Sequence, residues 1–190
     1  ISTITQMKGS EVSTYLSNND RLLFSHRGIN DNSLQLYVKE LNSVVSKRVT
    51  WDSADYVDGK FSSDASQAII KRKSGNEESL LIFNFDVDFN VLSAQPIMLD
   101  EAAPLQNMSA ISYSQDDNNL YLFGEARTNR ESITAPEDQL TRQVQAANFG
   151  LIRYNIELKQ QFVLAIPVPI GSRVIDAKES VDGEFLAVLI

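Results

Sequence analysis

The stretch "SVDGEFLAV", Ser180 to Val188, decides how this chain of 190 residues is read. A serine opens a short turn, and apolar residues then alternate along the segment that follows. Asp and Gly tolerate left-handed backbone, and an Asp side chain can close such a turn locally. A hairpin therefore forms, and the next strand starts at once. Three relatives lie upstream: "SNNDRLLF" from Ser17, "SSDASQAII" from Ser62 and "SQDDNNLYL" from Ser114, the first shorter by one residue. Their serines fall 45, 52 and 66 residues apart, a period that marks a repeated supersecondary unit with insertions. Ser62, Asp64, Ser114, Asp116, Ser180, Asp182 and Gly183 accordingly read as turn formers rather than as a catalytic Ser/Asp set.

Working outward, each turn is preceded by a short strand pattern: "EVSTYL", "DYVDGKF", "MSAISY" and "RVIDAKE". Each of the first three copies is followed by a second element, "LYVKEL" at Leu36, "LIFNFD" at Leu81 and "IRYNIE" at Ile152. Their period near two suits a strand with one buried face. A third element closes each unit: "SKRVTW" ending at Trp51, "NVLSAQPIML" ending at Leu99 and "QQFVLAIPVP" ending at Pro169. Pro96, Pro167 and Pro169 cannot donate to a ladder, which puts this strand at an outer edge. Four antiparallel strands per unit, repeated radially, make a β-propeller.

The expected fold is therefore all-β: a single propeller-type array over 1–190, with repeats at about 9–51, 54–100 and 106–170 and a partial one at 173–190. "STITQ" at Ser2 resembles the closing strand "KRVTW", so both ends are expected to fall inside a repeat. A parent ring of about six to eight blades, a four-bladed ring sealed by the N-terminal strand, and two partial rings paired in a homodimer all remain open.

Composition narrows the function. The formal net charge is -8, with a pI near 4.7, so the surface repels phosphate backbones and anionic membranes. No cysteine is present, which removes disulfides, thiolate zinc sites and cysteine nucleophiles together. "ISTITQMKGS" has no apolar core of a signal peptide, and no uncharged apolar run approaches the ~18 residues of a membrane span.

The run "GSEVSTYLSNNDRLLFSHRG…NSLQLYVKELNSVVSKRVTW" resembles the PD40 or TolB-like propeller repeat, with Gly9, Ser10, Glu11, Ser17, Tyr37, Val38, Leu41, Val49 and Thr50 matching its pattern. "SVDGEFLA" matches best, although no copy has the proline that follows the serine in that family. The resemblance implies one of three settings. These are the periplasmic part of a membrane-anchored winged-helix regulator similar to CadC and ToxR, a TolB-like cell-envelope scaffold, and the propeller of a prolyl-oligopeptidase-like peptidase. The first is the leading expectation. It implies a non-enzymatic sensor domain without a cofactor, which binds a protein partner or a small signal molecule, makes no direct nucleic-acid contact, and passes a change of assembly through a membrane helix. Homodimerisation would be a natural carrier.

Few residues invite chemistry. His26 is the single histidine and reads as a polar residue at a strand end; a Ser/His/Asp triad has no G-x-S-x-G elbow to present its nucleophile. One histidine without cysteine does not make a usual zinc site. Asp86 and Asp88 in "FDVDFN" fit a solvated turn better than a cation site, and "NMS" at Asn107 is a formal glycosylation sequon. The segment Glu125 to Gly150 lengthens the third repeat, and "APEDQLTRQVQAA" within it has the start signals of a helix. Insertions of this kind project from a rim, where they bind partners or form a loose loop. Arg127, Arg130, Leu140 and Arg142 are the candidate contacts there.

Overall fold

The computed structural model describes residues 7–17, 19–99, 105–126, 148–167 and 174–190. The strands form three four-stranded sheets and one two-stranded sheet, all antiparallel. The first sheet runs β1 (Gly9–Leu16), β2 (Arg21–Gly28), β3 (Gln35–Glu40) and β4 (Lys47–Arg48), in that order. The second repeats this order with β5 (Asp55–Phe61), β6 (Gln67–Ser74), β7 (Glu77–Phe85) and β8 (Val91–Pro96). The third has β9 (Leu105–Tyr113), β10 (Asn119–Ala126), β11 (Asn148–Asn155) and β12 (Gln160–Pro167); the last pairs β13 (Asp176–Glu179) with β14 (Leu186–Leu189). The chain divides into two compact units, Ile1–Met98 and Leu99–Ile190.

The turn that opened the sequence reading is built the same way four times. Ser62, Ser114 and Ser180 each donate their backbone N–H across the turn, to Gln67, Asn119 and Phe185, and each hydroxyl accepts the returning N–H at 2.9–3.0 Å. Each of these hydroxyls also donates to a carboxylate two residues on, Asp64, Asp116 or Asp182. The copy at Ser17 closes on Arg21, one residue sooner, with Asn19 as its acceptor. The third residue after every serine is left-handed: Asp20, Ala65, Asp117 and Gly183, with φ from 57° to 74°. Glycine adopts this region freely and other residues at a cost.

Pro96 in β8 and Pro167 in β12 lie on outer strands, where a missing N–H breaks no ladder. Two sequence expectations need correction. The central strands of the first sheet are not half-buried, Leu22 to His26 and Gln35 to Lys39 being buried on both faces, whereas β7 keeps Leu81 and Asn84 part-exposed between buried Leu80, Ile82 and Phe85. One face of the first sheet, carrying Leu23, Leu36 and Val38, packs on the second sheet, while Leu22, Phe24 and Tyr37 form a separate cluster with Met7. The closing strand of the first repeat is also shorter than expected. Its ladder stops at Arg48, and Trp51 stands exposed beyond it. The candidate contacts Arg127, Arg130, Leu140 and Arg142, the helix expected around them, Ser2 to Gln6 and Pro169 lie outside the described residues.

In the first unit the junction between the two sheets is an apolar seam. Leu23 and Val38, cross-strand partners, meet Phe61, Ala65, Ala68, Ile70, Phe83, Phe85 and Phe89. Phe61, Phe85 and Phe89 pack ring to ring with centroids 6.2 Å apart. Each such side chain contributes about 1.5–3 kcal/mol by burial. Gly59 sits against Leu23, where an added Cβ would lie 2.7 Å from a leucine methyl, so this approach of β5 needs glycine.

Candidate functional site: a polar cleft between two serine turns

The second unit repeats this junction with different residues. Register places Asn119 opposite Asn155 and Arg21 opposite Glu40, each pair directly after its serine turn. Counting from there, the Leu23–Val38 pair of the first sheet corresponds to Tyr121–Arg153 in the third. Phe61, which precedes Ser62, corresponds to Glu179, which precedes Ser180. Three apolar positions have thus become a phenol, a guanidinium and a carboxylate. Phe123, Leu151, Val174 and Ala177 still form an apolar base with Leu186 and Val188.

Above that base opens a cleft of about 300 Å³, lined by Gln115, Asp116, Asn119, Arg153, Glu179, Val181, Asp182 and Gly183. Its walls are the turns at Ser114 and Ser180, and β10, β11 and β13 supply Asn119, Arg153 and Glu179. Glu179 ties the two sheets together: the Tyr121 hydroxyl donates to one oxygen at 2.5 Å, and the Gln115 N–H donates to the other at 2.6 Å. Burial, then the hydrogen bond to Glu179 and its charge, push the Tyr121 phenol up to about 12. Asp116 is held below the ordinary carboxylate value by the Ser114 hydroxyl and by Asn118. Asp182 is held low by the Ser180 hydroxyl and the Glu184 N–H. Both turn carboxylates are therefore ionised at neutral pH.

This chemistry suits recognition more than bond making. The Ser114 and Ser180 hydroxyls are consumed inside their turns, each donating to an aspartate and accepting a backbone N–H. Among the described residues, no group of three or more His, Asp or Glu side chains is placed to hold a metal ion.

The other residues singled out from sequence lie elsewhere. His26 lies near the end of β2, as read from sequence, and is buried there: it is 2% exposed, lies opposite Glu11 with Nδ1 3.8 Å from a carboxylate oxygen, and meets the Tyr37 ring edge-on. Gly9 lies beside it, and a Cβ there would come within 2.0 Å of the Arg27 backbone oxygen and 2.9 Å of the imidazole. Asp86 is a turn former, accepting from the Asp88 and Asn90 backbone and from the Asn90 amide. A further feature appears only in the structure: β1 and β5 carry matching bulges at Ser13 and Asp58, both left-handed, joined by a hydrogen bond of 3.2 Å. Lys71 closes the second bulge with an ion pair of 3.0 Å to Asp58.

Sequence reading missed Asn119, Tyr121, Arg153 and Glu179. Their signal lies in aligning the repeats strand by strand, which shows polar residues where the first unit has Leu23, Val38 and Phe61.

No protein-family model and no curated protein sequence matches the chain. Solved structures do. TolB from Acinetobacter baumannii matches over 96% of this chain at 11% identity with a TM-score of 0.62. A protein described as TolB from Agrobacterium tumefaciens matches over 98% at 13% identity and 0.60. A prolyl endopeptidase matches over 97% at 14% identity and 0.54. The chain spans 38%, 61% and 26% of those proteins respectively. At these identities the likeness shows the fold alone: antiparallel four-stranded sheets of the β-propeller kind.

Proposed function

We propose that this chain is the binding part of a TolB-like propeller scaffold, non-enzymatic and working in the bacterial periplasm. The observation that carries the reading is the polar cleft. Propeller sheets gain stability by packing apolar faces, and here one junction keeps an apolar base that includes Tyr121 but places Arg153 and Glu179, where the first unit has Val38 and Phe61, on the lining of an open cleft. A fold shared by many functions leaves the site to argue the function, and this site offers fixed hydrogen-bonding groups rather than an activated nucleophile. The winged-helix regulator expectation draws no support from the comparisons, and the scaffold reading takes its place.

In-cell photo-cross-linking tests this. A benzophenone amino acid replaces Val181, which is 89% exposed on the cleft wall, and separately Val44, which is 96% exposed in the first unit. A discrete protein adduct from Val181 and none from Val44 is expected. No adduct from Val181 would remove the reading.

A second reading, the propeller of a prolyl-oligopeptidase-like peptidase, has the endopeptidase likeness in its favour. It requires a G-x-S-x-G hydrolase domain in the same reading frame. The scaffold reading requires a cleavable signal peptide and no such domain.

A further inference from the structure

We infer that His26 is a proton-operated latch in the first sheet: when its imidazole takes up a proton, it draws Glu11 of β1 into a charge-assisted hydrogen bond and tightens that strand on β2. The inference stands apart from the cleft and from the binding reading. It starts from one row of side chains. Glu11, His26 and Gln35 lie directly opposite one another on β1, β2 and β3, so they share one face of the sheet.

That row is short of hydrogen-bond donors. The Nδ1 atom of His26 is buried without a hydrogen-bond partner, and the Glu11 carboxylate stands 3.8 Å away, beyond hydrogen-bond reach. On the other side, Gln35 donates its amide nitrogen to the Ser33 hydroxyl and to the backbone oxygens of Asp52 and Ala54, and its Oε1 is buried with no donor. Buried polar atoms are almost always paired, so two unpartnered ones on a directly paired His26 and Gln35 need an explanation. A neutral imidazole carries one N–H and an imidazolium carries two. Only the protonated ring offers a donor at both nitrogens.

The surroundings can hold the added charge. Glu11 from β1 faces Nδ1. Asp31, from the turn after β2, stands on the Nε2 side: its Oδ2 and Nε2 both lie within 4.0 Å of the place a Cβ on Gly28 would take. β3 brings the neutral Gln35 and the edge of the Tyr37 ring. The neighbouring cations are paired, Arg27 with Asp55 and Arg48 of β4 with Asp31. Glu11 is one-third exposed, which gives a proton its way in from solvent. The strand it would tighten is lightly held. β1 is largely exposed, its ladder to β2 is interrupted by the bulge at Ser13, and the Ser13 hydroxyl reaches Asp58 of β5. A charge-assisted bond is roughly twice as strong as a neutral one, and here it would act on the strand that links two sheets of the first unit.

The test is NMR of the full chain at pH 7.5 and pH 5.5. Imidazole nitrogen shifts report the protonation state of His26, and amide exchange, corrected for intrinsic rates, reports the protection of each strand. On going to pH 5.5, both ring nitrogens are expected to carry protons and β1 protection to rise about threefold, the size of a partly exposed ion pair, with β6 and β7 unmoved. Glu11→Gln, at a partly exposed position, is expected to abolish the rise, and Glu184→Gln, an exposed carboxylate of the last hairpin, to keep it. An imidazole still neutral at pH 5.5, β1 protection that stays level or falls in the unmutated protein, or an equal rise in Glu11→Gln would overturn the inference.

Discussion

The two junctions of this molecule share one backbone plan and differ in what fills it. In the first unit, Leu23, Val38 and Phe61 close an apolar seam between sheets. In the second, Tyr121, Arg153 and Glu179 occupy the corresponding positions; Tyr121 stays in the apolar cluster with its hydroxyl on Glu179, while Arg153 and Glu179 line a cleft. Even the turns follow the contrast. Ala65 takes the left-handed turn position buried in the seam, while Gly183 takes it on the cleft wall, with no heavy atom within 4 Å of an added Cβ. A repeat protein can therefore keep its strands and change its chemistry at one interface, because each sheet packs chiefly on its neighbours. The lesson is that the candidate site is found by comparing repeats rather than by searching for a motif.

That comparison can be broken most sharply in the first unit. Phe61→Ala removes a ring that packs on Phe85 and Phe89, and should cost about 3–5 kcal/mol in urea unfolding. A loss below about 1 kcal/mol would show that the seam is not the apolar core assigned to it.

A smaller effect is expected from Glu179→Ala, which strips the acceptor from Tyr121 and the partner from the Gln115 N–H. It should cost about 1–2 kcal/mol at neutral pH. Its pH dependence carries a sign. The folded Tyr121 phenol stands at about 12 against an ordinary 10.0, so its contribution is complete below pH 10.0 and is lost as pH rises through about 12. Removing Glu179 brings the phenol back toward its ordinary value. The stability gap between wild type and variant should then narrow above pH 10.0, measured by urea midpoints, and the phenol's titration, followed by ultraviolet absorbance, should move down. An unchanged titration would dissolve the Tyr121–Glu179 pair as described.

Much of the fold was legible because the turn chemistry is local. The serine, its Asx partner two residues on, and the following strand are readable without tertiary knowledge, and Pro96 and Pro167 mark outer strands for a covalent reason. What was not legible depended on stacking. The period-two pattern of "LYVKEL" suggests one buried face, but packing of neighbouring structure on both faces buries Lys39 along with Leu36 and Val38. His26 lies near the end of its strand, as read, but its burial beside Gly9 and Tyr37 was not legible. The cleft was invisible for a related reason. Asn119, Arg153 and Glu179 are ordinary polar residues in sequence, and they converge only when β10, β11 and β13 are brought side by side.

The most direct test of the central claim converts the second junction into the first. In Tyr121→Leu, Arg153→Val, Glu179→Phe, the polar trio takes on the apolar seam, and the urea midpoint and the cross-link from Val181 are read on the same protein. If the trio is kept for binding, the variant gains about 1–2 kcal/mol of stability and loses the adduct. A variant that is less stable than wild type, or that still cross-links from Val181, would contradict the account.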